Sequence, residues 1–174
     1  LGMVAGAAVM GLADGPTELA RVATDLNELY PDELGRAILR DAQVADVEQA
    51  LYRADASAFV LVGPRGAGKT ALVHGAVRRH IDGQPGRQRS TLQKVWQLDP
   101  MRVIAGMSVV GQWQRRMAVV MQHVQSRLRT THAIDKPDHL YCDNLVALLA
   151  MGRSSQNALT LADVDVCGPS QGPI

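Results

Sequence analysis

Aromatic side chains are scarce in this chain, with 3 Tyr, 2 Trp and 1 Phe among 174 residues. Nucleic-acid bases stack on aromatic platforms, and six scattered rings (Tyr30, Tyr52, Phe59, Trp96, Trp113, Tyr141) build none. An excess of either charge is missing too: 18 Lys+Arg face 17 Asp+Glu, a net +1. That balance gives no electrostatic reason to expect nucleic acid or an anionic membrane as a partner. Only Cys142 and Cys167 carry thiols, and they form no CxxC pair. A disulfide scaffold and a cysteine-based zinc site are therefore excluded, and a reducing, cytoplasmic compartment is the expectation. His74, His80, His123, His132 and His139 show no HxxxH spacing, and no Gly-x-Ser-x-Gly elbow appears. Long apolar runs are also lacking. Leu1 to Ala13 is uncharged, yet it falls short of the roughly 20 residues a bilayer requires and lacks the basic flank of a signal peptide. Residues 1–15 read as an irregular lead-in, or as the end of an apolar helix begun upstream, since the chain opens on Leu rather than Met.

What is present is enough for one domain with a real core: 47% of residues are apolar and 20% charged. Leu19, Val22, Leu26 and Leu29 recur at helical spacing, with Asp14 or Thr17 as a cap and Pro31 as the stop. A second helix starts at Asp41 and places Val44, Val47 and Leu51 on one face. Ala58–Val62 is a continuous apolar run bounded by Gly63 and Pro64, the pattern of a strand buried on both faces. Another helix follows Lys69 and Thr70, carrying Leu72, Val73, Ala76, Val77 and Ile81 until the turn at Gly83 to Gly86. Val95–Leu98 reads as a strand closed by Asp99 and Pro100. Gly111 to Arg129 reads as a long amphipathic helix, and Leu140–Cys142 as a third strand ending at Asp143. Strands alternating with helices predict an α/β fold over residues 16–166, a parallel sheet with helices on both faces. Residues 167–174 read as an unstructured tail.

The informative segment is Gly63, Pro64, Arg65, Gly66, Ala67, Gly68, Lys69 and Thr70, which fits GxxxxGK[ST] at every fixed position. Glycines let the backbone curl so that successive N–H groups surround phosphate oxygens. Lys69 is placed to reach the β- and γ-phosphates, and the Thr70 hydroxyl to ligate Mg²⁺. The helix that begins there turns its positive end toward the same charge. A chance glycine-rich turn is the plainer alternative, but the apolar run before the loop and the helix after it satisfy the context the motif needs. Asp143, at the end of an apolar strand, is the candidate for holding the Mg²⁺ water shell; a simple turn cap is its plainer role.

These residues, taken in order, resemble the Clp-type AAA+ ATPases, ring-forming protein unfoldases and disaggregases, over roughly Leu19 to Val164. Thr24–Leu29 resembles the stretch before the family's nucleotide site, and Leu39-Arg40-Asp41 its Gly-Arg-Asp box, with Leu39 in place of the Gly. Ala105-Gly106 followed by Gly111-Gln-Trp113-Gln-Arg-Arg116, and then Leu140–Leu149, resemble its later blocks. The resemblance implies a P-loop NTPase fold, ATP or ADP with Mg²⁺ as ligand, and Ile38 and Leu39 beside the adenine. It further implies a protein substrate and a homo-oligomeric ring for a full-length form, with ATP hydrolysis coupled to remodelling. Three departures qualify this. Asn144 stands where the family has a catalytic Glu, and Asn can orient a water but not accept its proton. Ser108-Val109-Val110 lacks the pore-loop aromatic. The family's fourth and fifth strands and its lid are not recognisable after Ala158–Asp163, so the expectation is an incomplete core of strands 1–3, inactive by itself. A non-hydrolysing nucleotide-binding scaffold or switch is the alternative reading.

Overall fold

In a computed structural model of the chain, which describes residues 13–53, 58–106, 112–130 and 138–150, the first helix starts at an aspartate cap. Asp14 accepts a hydrogen bond from Thr17 N at 3.3 Å, and helix α1 (Gly15–Val22) buries Leu19 and Val22. The lead-in through Leu12, the Ser108–Val110 stretch and everything from Met151 onward, including the 167–174 tail, lie outside the described residues.

The helix expected to run on through Leu29 stops at Val22 instead. Ala23–Asp25 is a short strand, β1, antiparallel to β2 (Val95–Leu98), with Ala23 opposite Leu98 and Asp25 opposite Trp96. The ladder is extended at both ends: Leu26 N donates to Val95 O at 2.9 Å, and Asp99 N to Val22 O at 2.8 Å. Asp25 also accepts a bond from the backbone of Asn27 at 2.9 Å, a local turn that competes with the helix. Leu26 is still buried, but through a turn and not through a helix face.

Strand β3 (His139–Cys142) runs parallel to β2, giving the order β1-β2-β3. Side chains alternate across this small sheet as the pleat requires. Trp96, Leu98, Leu140 and Cys142 face one apolar cluster, while Val95 and Tyr141 face the other. On the first side, α1 packs with α4 (Pro100–Ile104), α5 (Gln112–Thr130) and α6 (Leu145–Leu149). Trp113, Met117, Val120 and Val124 form the buried stripe of α5, at the predicted spacing. On the second side lie α2 (Asp41–Leu51) and α3 (Lys69–Asp82). These two approach so closely that a β-carbon on Gly75 would sit 3.1 Å from Val44 Cγ2. The expected cap of α2 is shifted by one residue: Arg40 occupies the N-cap without a side-chain cap bond, and Asp41 supplies negative charge in the first turn.

The strand predicted at Ala58–Val62 does not form. The segment pairs with no strand among the described residues, and Val62 is 90% exposed. An apolar run becomes a strand only where neighbouring backbone takes up its N–H and C=O groups. Here β3 pairs with β2, and Ala58–Val62 joins neither. Only Leu61 leans on the α2–α3 cluster.

Candidate nucleotide-binding site

Two positive φ angles shape the loop before α3. Gly66 (φ 79°) and Gly68 (φ 76°) occupy the left-handed region, and Ala67 N closes a turn onto Pro64 O at 3.2 Å. Only glycine takes these angles without steric penalty, so backbone geometry requires the motif's second glycine, Gly68, and also Gly66, at a position the motif leaves open. Gly68 is also the N-cap of α3, and its carbonyl accepts the first helical bond, from Leu72 N at 3.0 Å. Lys69 therefore stands at the first position of a fourteen-residue helix. Its Nζ donates back to Gly63 O at 3.0 Å and Pro64 O at 2.9 Å, so the ammonium lies over the loop.

Thr70 and Asp143 meet across the site. Thr70 Oγ1 donates to Asp143 Oδ1 at 2.6 Å, although they come from different elements, the first turn of α3 and the end of β3. Tyr141 OH donates to the same oxygen at 2.7 Å. Burial by itself would raise the Asp143 carboxyl. The hydrogen bonds from Thr70 and Tyr141, with the charge of Lys69, outweigh it and hold the group below its ordinary value. The carboxylate thus stays ionised beside a hydroxyl. Burial chiefly, helped by the bond to Asp143, raises the Tyr141 phenol, which keeps it a hydrogen-bond donor.

A hard cation such as Mg²⁺ takes oxygen ligands and is commonly held by one carboxylate, a hydroxyl and substrate phosphates. The pair Thr70–Asp143 fits that donor set. Among the described residues no three His, Cys, Asp or Glu side chains gather as a protein-only metal cage, so the remaining ligands would be phosphate and water.

On the other side of the loop, Arg40 Nη1 donates to Ala67 O at 2.6 Å. Leu39, immediately before it, has φ 56°, the left-handed region again, at the position where the resembled box carries Gly. Ile38 and Leu39 are 78% and 94% exposed, available to a flat apolar ligand but covered by no side chain of their own. Behind the loop, His74 accepts from Gly35 N at 3.0 Å through Nδ1, which leaves Nε2 to donate to Gln97 Oε1 at 3.2 Å. Loop, helix and strand are therefore tied together beneath the site.

The structure brings together Lys69, Thr70, Asp143 and the backbone of Gly63 to Gly68. Arg65 is exposed at the turn. Asn144 Oδ1 accepts from Ala147 N at 3.0 Å and caps α6, so one lone pair of its carbonyl is engaged there. Two contributors were not singled out from the sequence, Tyr141 and the clamp from Arg40. The signal for Tyr141 was its position two residues before Asp143, which puts both on one side of an extended chain.

No family model matches the chain. It is 30% identical over 116 residues to the chaperone protein ClpB of Tropheryma whipplei (strain TW08/27), covering 66% of this chain and 16% of that protein. It is 31% identical over 104 residues to the ATP-dependent Clp protease ATP-binding subunit ClpE of Lactococcus lactis subsp. lactis, covering 60% and 14% respectively. The chain thus spans less than a fifth of the length of these curated relatives. Among solved structures, an S. cerevisiae Hsp104–ADP complex superposes with a TM-score of 0.57 at 22% identity, over 79% of this chain and 18% of that one. The chain accordingly shares its arrangement of helices and sheet with part of that protein.

Proposed function

We propose that this chain, which belongs with the Clp-type AAA+ ATPases, binds ATP and ADP with Mg²⁺ at the loop 63–70. In a longer form, nucleotide state would drive remodelling of a protein partner within a homo-oligomeric ring in the cytoplasm. The observation that carries the binding reading is the 2.6 Å contact between Thr70 Oγ1 and Asp143 Oδ1 above the start of α3. A carboxylate and a hydroxyl converge where a helix turns its positive end toward a glycine loop.

Each side chain then has a role its geometry supports. Lys69 exchanges its bonds to Gly63 O and Pro64 O for β- and γ-phosphate oxygens. The N–H groups from Gly66 to Thr70 line the phosphates, and Arg40 holds Ala67 O so that the loop keeps its curl. Ile38 and Leu39 offer exposed apolar surface to the base. The metal would supply charge neutralisation between the phosphates, with Thr70 and Asp143 as its protein-side oxygens.

Calorimetry with ATP and Mg²⁺ tests the reading. A charge-assisted contact to phosphate contributes about 1.5–3 kcal/mol, so Lys69→Ala should weaken binding by at least about tenfold. Equal affinity for wild type and Lys69→Ala would reject the assignment.

One observation favours a second reading, a switch that binds nucleotide without hydrolysing it. Asn144 cannot accept a proton, and its carbonyl is held by Ala147 N. Both readings share nucleotide binding. Steady-state ATP turnover by a form that continues through the rest of an AAA+ core separates them: turnover supports the ATPase, and saturable binding without phosphate release supports the switch.

A further inference from the structure

We propose that Tyr141 is a positioning residue for the metal end of this site, its hydroxyl fixing the Asp143 carboxylate in the orientation that a Mg²⁺–nucleotide complex needs. The inference rests on the nucleotide reading above and assigns that site a residue whose hydroxyl the phosphate-binding motif does not call for.

A strand-end carboxylate on an otherwise free side chain samples several rotamers, and only some of them face Thr70. Two donors converge on Asp143 Oδ1 here, Thr70 Oγ1 at 2.6 Å and Tyr141 OH at 2.7 Å. They differ in what else they must do. Thr70 Oγ1 has to turn a lone pair to the cation, so its geometry is shared between two partners. The Tyr141 hydroxyl owes no lone pair to the cation; the Thr70 side chain also lies within its hydrogen-bonding reach, so its ties stay inside the Thr70–Asp143 group. Tyr141 lies in β3, with its backbone paired in register with Gln97 and its side chain packed against the α2–α3 cluster. Gln97 is itself held by His74 of α3, the helix that carries Lys69 and Thr70. The phenol is therefore a fixed donor on the same framework as the phosphate loop. With both bonds on Oδ1, the second oxygen, Oδ2, is left for the water shell of a cation. Preorganising one such side chain strengthens binding by about three- to tenfold, an effect that exists only when the cation is part of the ligand.

The test is ADP titrated calorimetrically into the whole chain, wild type and Tyr141→Phe, each with Mg²⁺ and with EDTA. Tyr141→Phe keeps the ring and removes only the hydroxyl. The expected result is Mg²⁺–ADP affinity about three- to tenfold lower in the variant, with metal-free ADP affinity changed less than about twofold. The enhancement by Mg²⁺ within one protein is the deciding ratio, so a lowered melting temperature in Tyr141→Phe does not blur the outcome. An unchanged ratio overturns the inference while leaving the nucleotide site intact. Equal losses with and without Mg²⁺ also overturn it, since they mark a packing role. Absence of ADP binding by wild type in both conditions would overturn the nucleotide reading itself, and this inference with it.

Discussion

The two helical layers on either side of the sheet hold their charges in opposite ways. In the α1–α4–α5 layer, Glu18 is wholly buried. It meets Arg21 Nη1 at 2.8 Å and Ala13 N at 3.0 Å, while Arg116 Nε stands 2.9 Å from its Oε2. Arg116 also reaches the carbonyls of Arg102, Val103 and Ala105 at the end of α4, at 3.1–3.3 Å. In the α2–α3 layer the interior is apolar, and the charged groups sit at the rim, as with Arg79 and Glu48 at 2.8 Å. Lys69, Arg40 and Asp143 belong to this second layer or to the strand end beside it, and all remain within reach of solvent. The difference separates two tasks. Glu18 and Arg116 are sealed between helices, whereas Lys69, which on the proposed reading would exchange backbone carbonyls for phosphate, is left at the edge.

Breaking that division should be most costly at Glu18. Glu18→Ala strands the Arg116 guanidinium in a site that is only 13% exposed, and removing one member of a buried pair typically costs about 3–5 kcal/mol. Chemical denaturation should record a loss of this size, with nucleotide affinity of the folded protein unaltered. A loss below about 1 kcal/mol would place the strength of this layer elsewhere.

Arg40→Ala should show the reverse profile. The half-exposed clamp on Ala67 O contributes about 1 kcal/mol to loop geometry, enough to weaken ADP about fivefold with little change in the melting curve. If the melt falls and affinity does not, Arg40 belongs to the structural class and the comparison fails on this side.

The smallest effect is expected at Leu39→Gly. Relief of a left-handed φ at a non-glycine residue returns about 1–2 kcal/mol, against about 0.5–1 kcal/mol lost to the more flexible unfolded chain. Because Leu39 is almost fully exposed, little burial is forfeited, and stability should rise by up to about 1 kcal/mol. A drop of that size would reveal packing that the exposed side chain does not suggest.

Much of this was legible beforehand. The boundaries of α3, β2, β3 and α5 lie within one or two residues of those drawn from apolar spacing and turn residues, because each element carries its own periodicity. Lys69, Thr70 and Asp143 were legible from motif and strand end. Two segments were misread for one physical reason. Ala23–Asp25 follows a helical repeat in sequence yet is a strand, and Ala58–Val62 looks like a strand yet is none. In both, the outcome depends on distant backbone: β2 is present for the first, and no ladder partner appears among the described residues for the second. The Asn144 cap and the Tyr141 hydroxyl bond were hidden similarly, since each depends on where one polar atom comes to rest.

The bond between Thr70 and Asp143 closes a span of 73 residues. No local stretch of chain can hold these two oxygens together, so the denatured ensemble essentially lacks the pair. A ligand that bridges them recognises the native state alone, and mass action then turns occupancy into thermal protection. At a free ligand concentration of about one hundred times Kd, that protection amounts to about 2.7 kcal/mol, a large share of the 5–15 kcal/mol that holds an ordinary domain folded. Nucleotide would thereby act as a folding cofactor for this chain, stabilising the same three-element junction of loop, helix and strand end that recognises it.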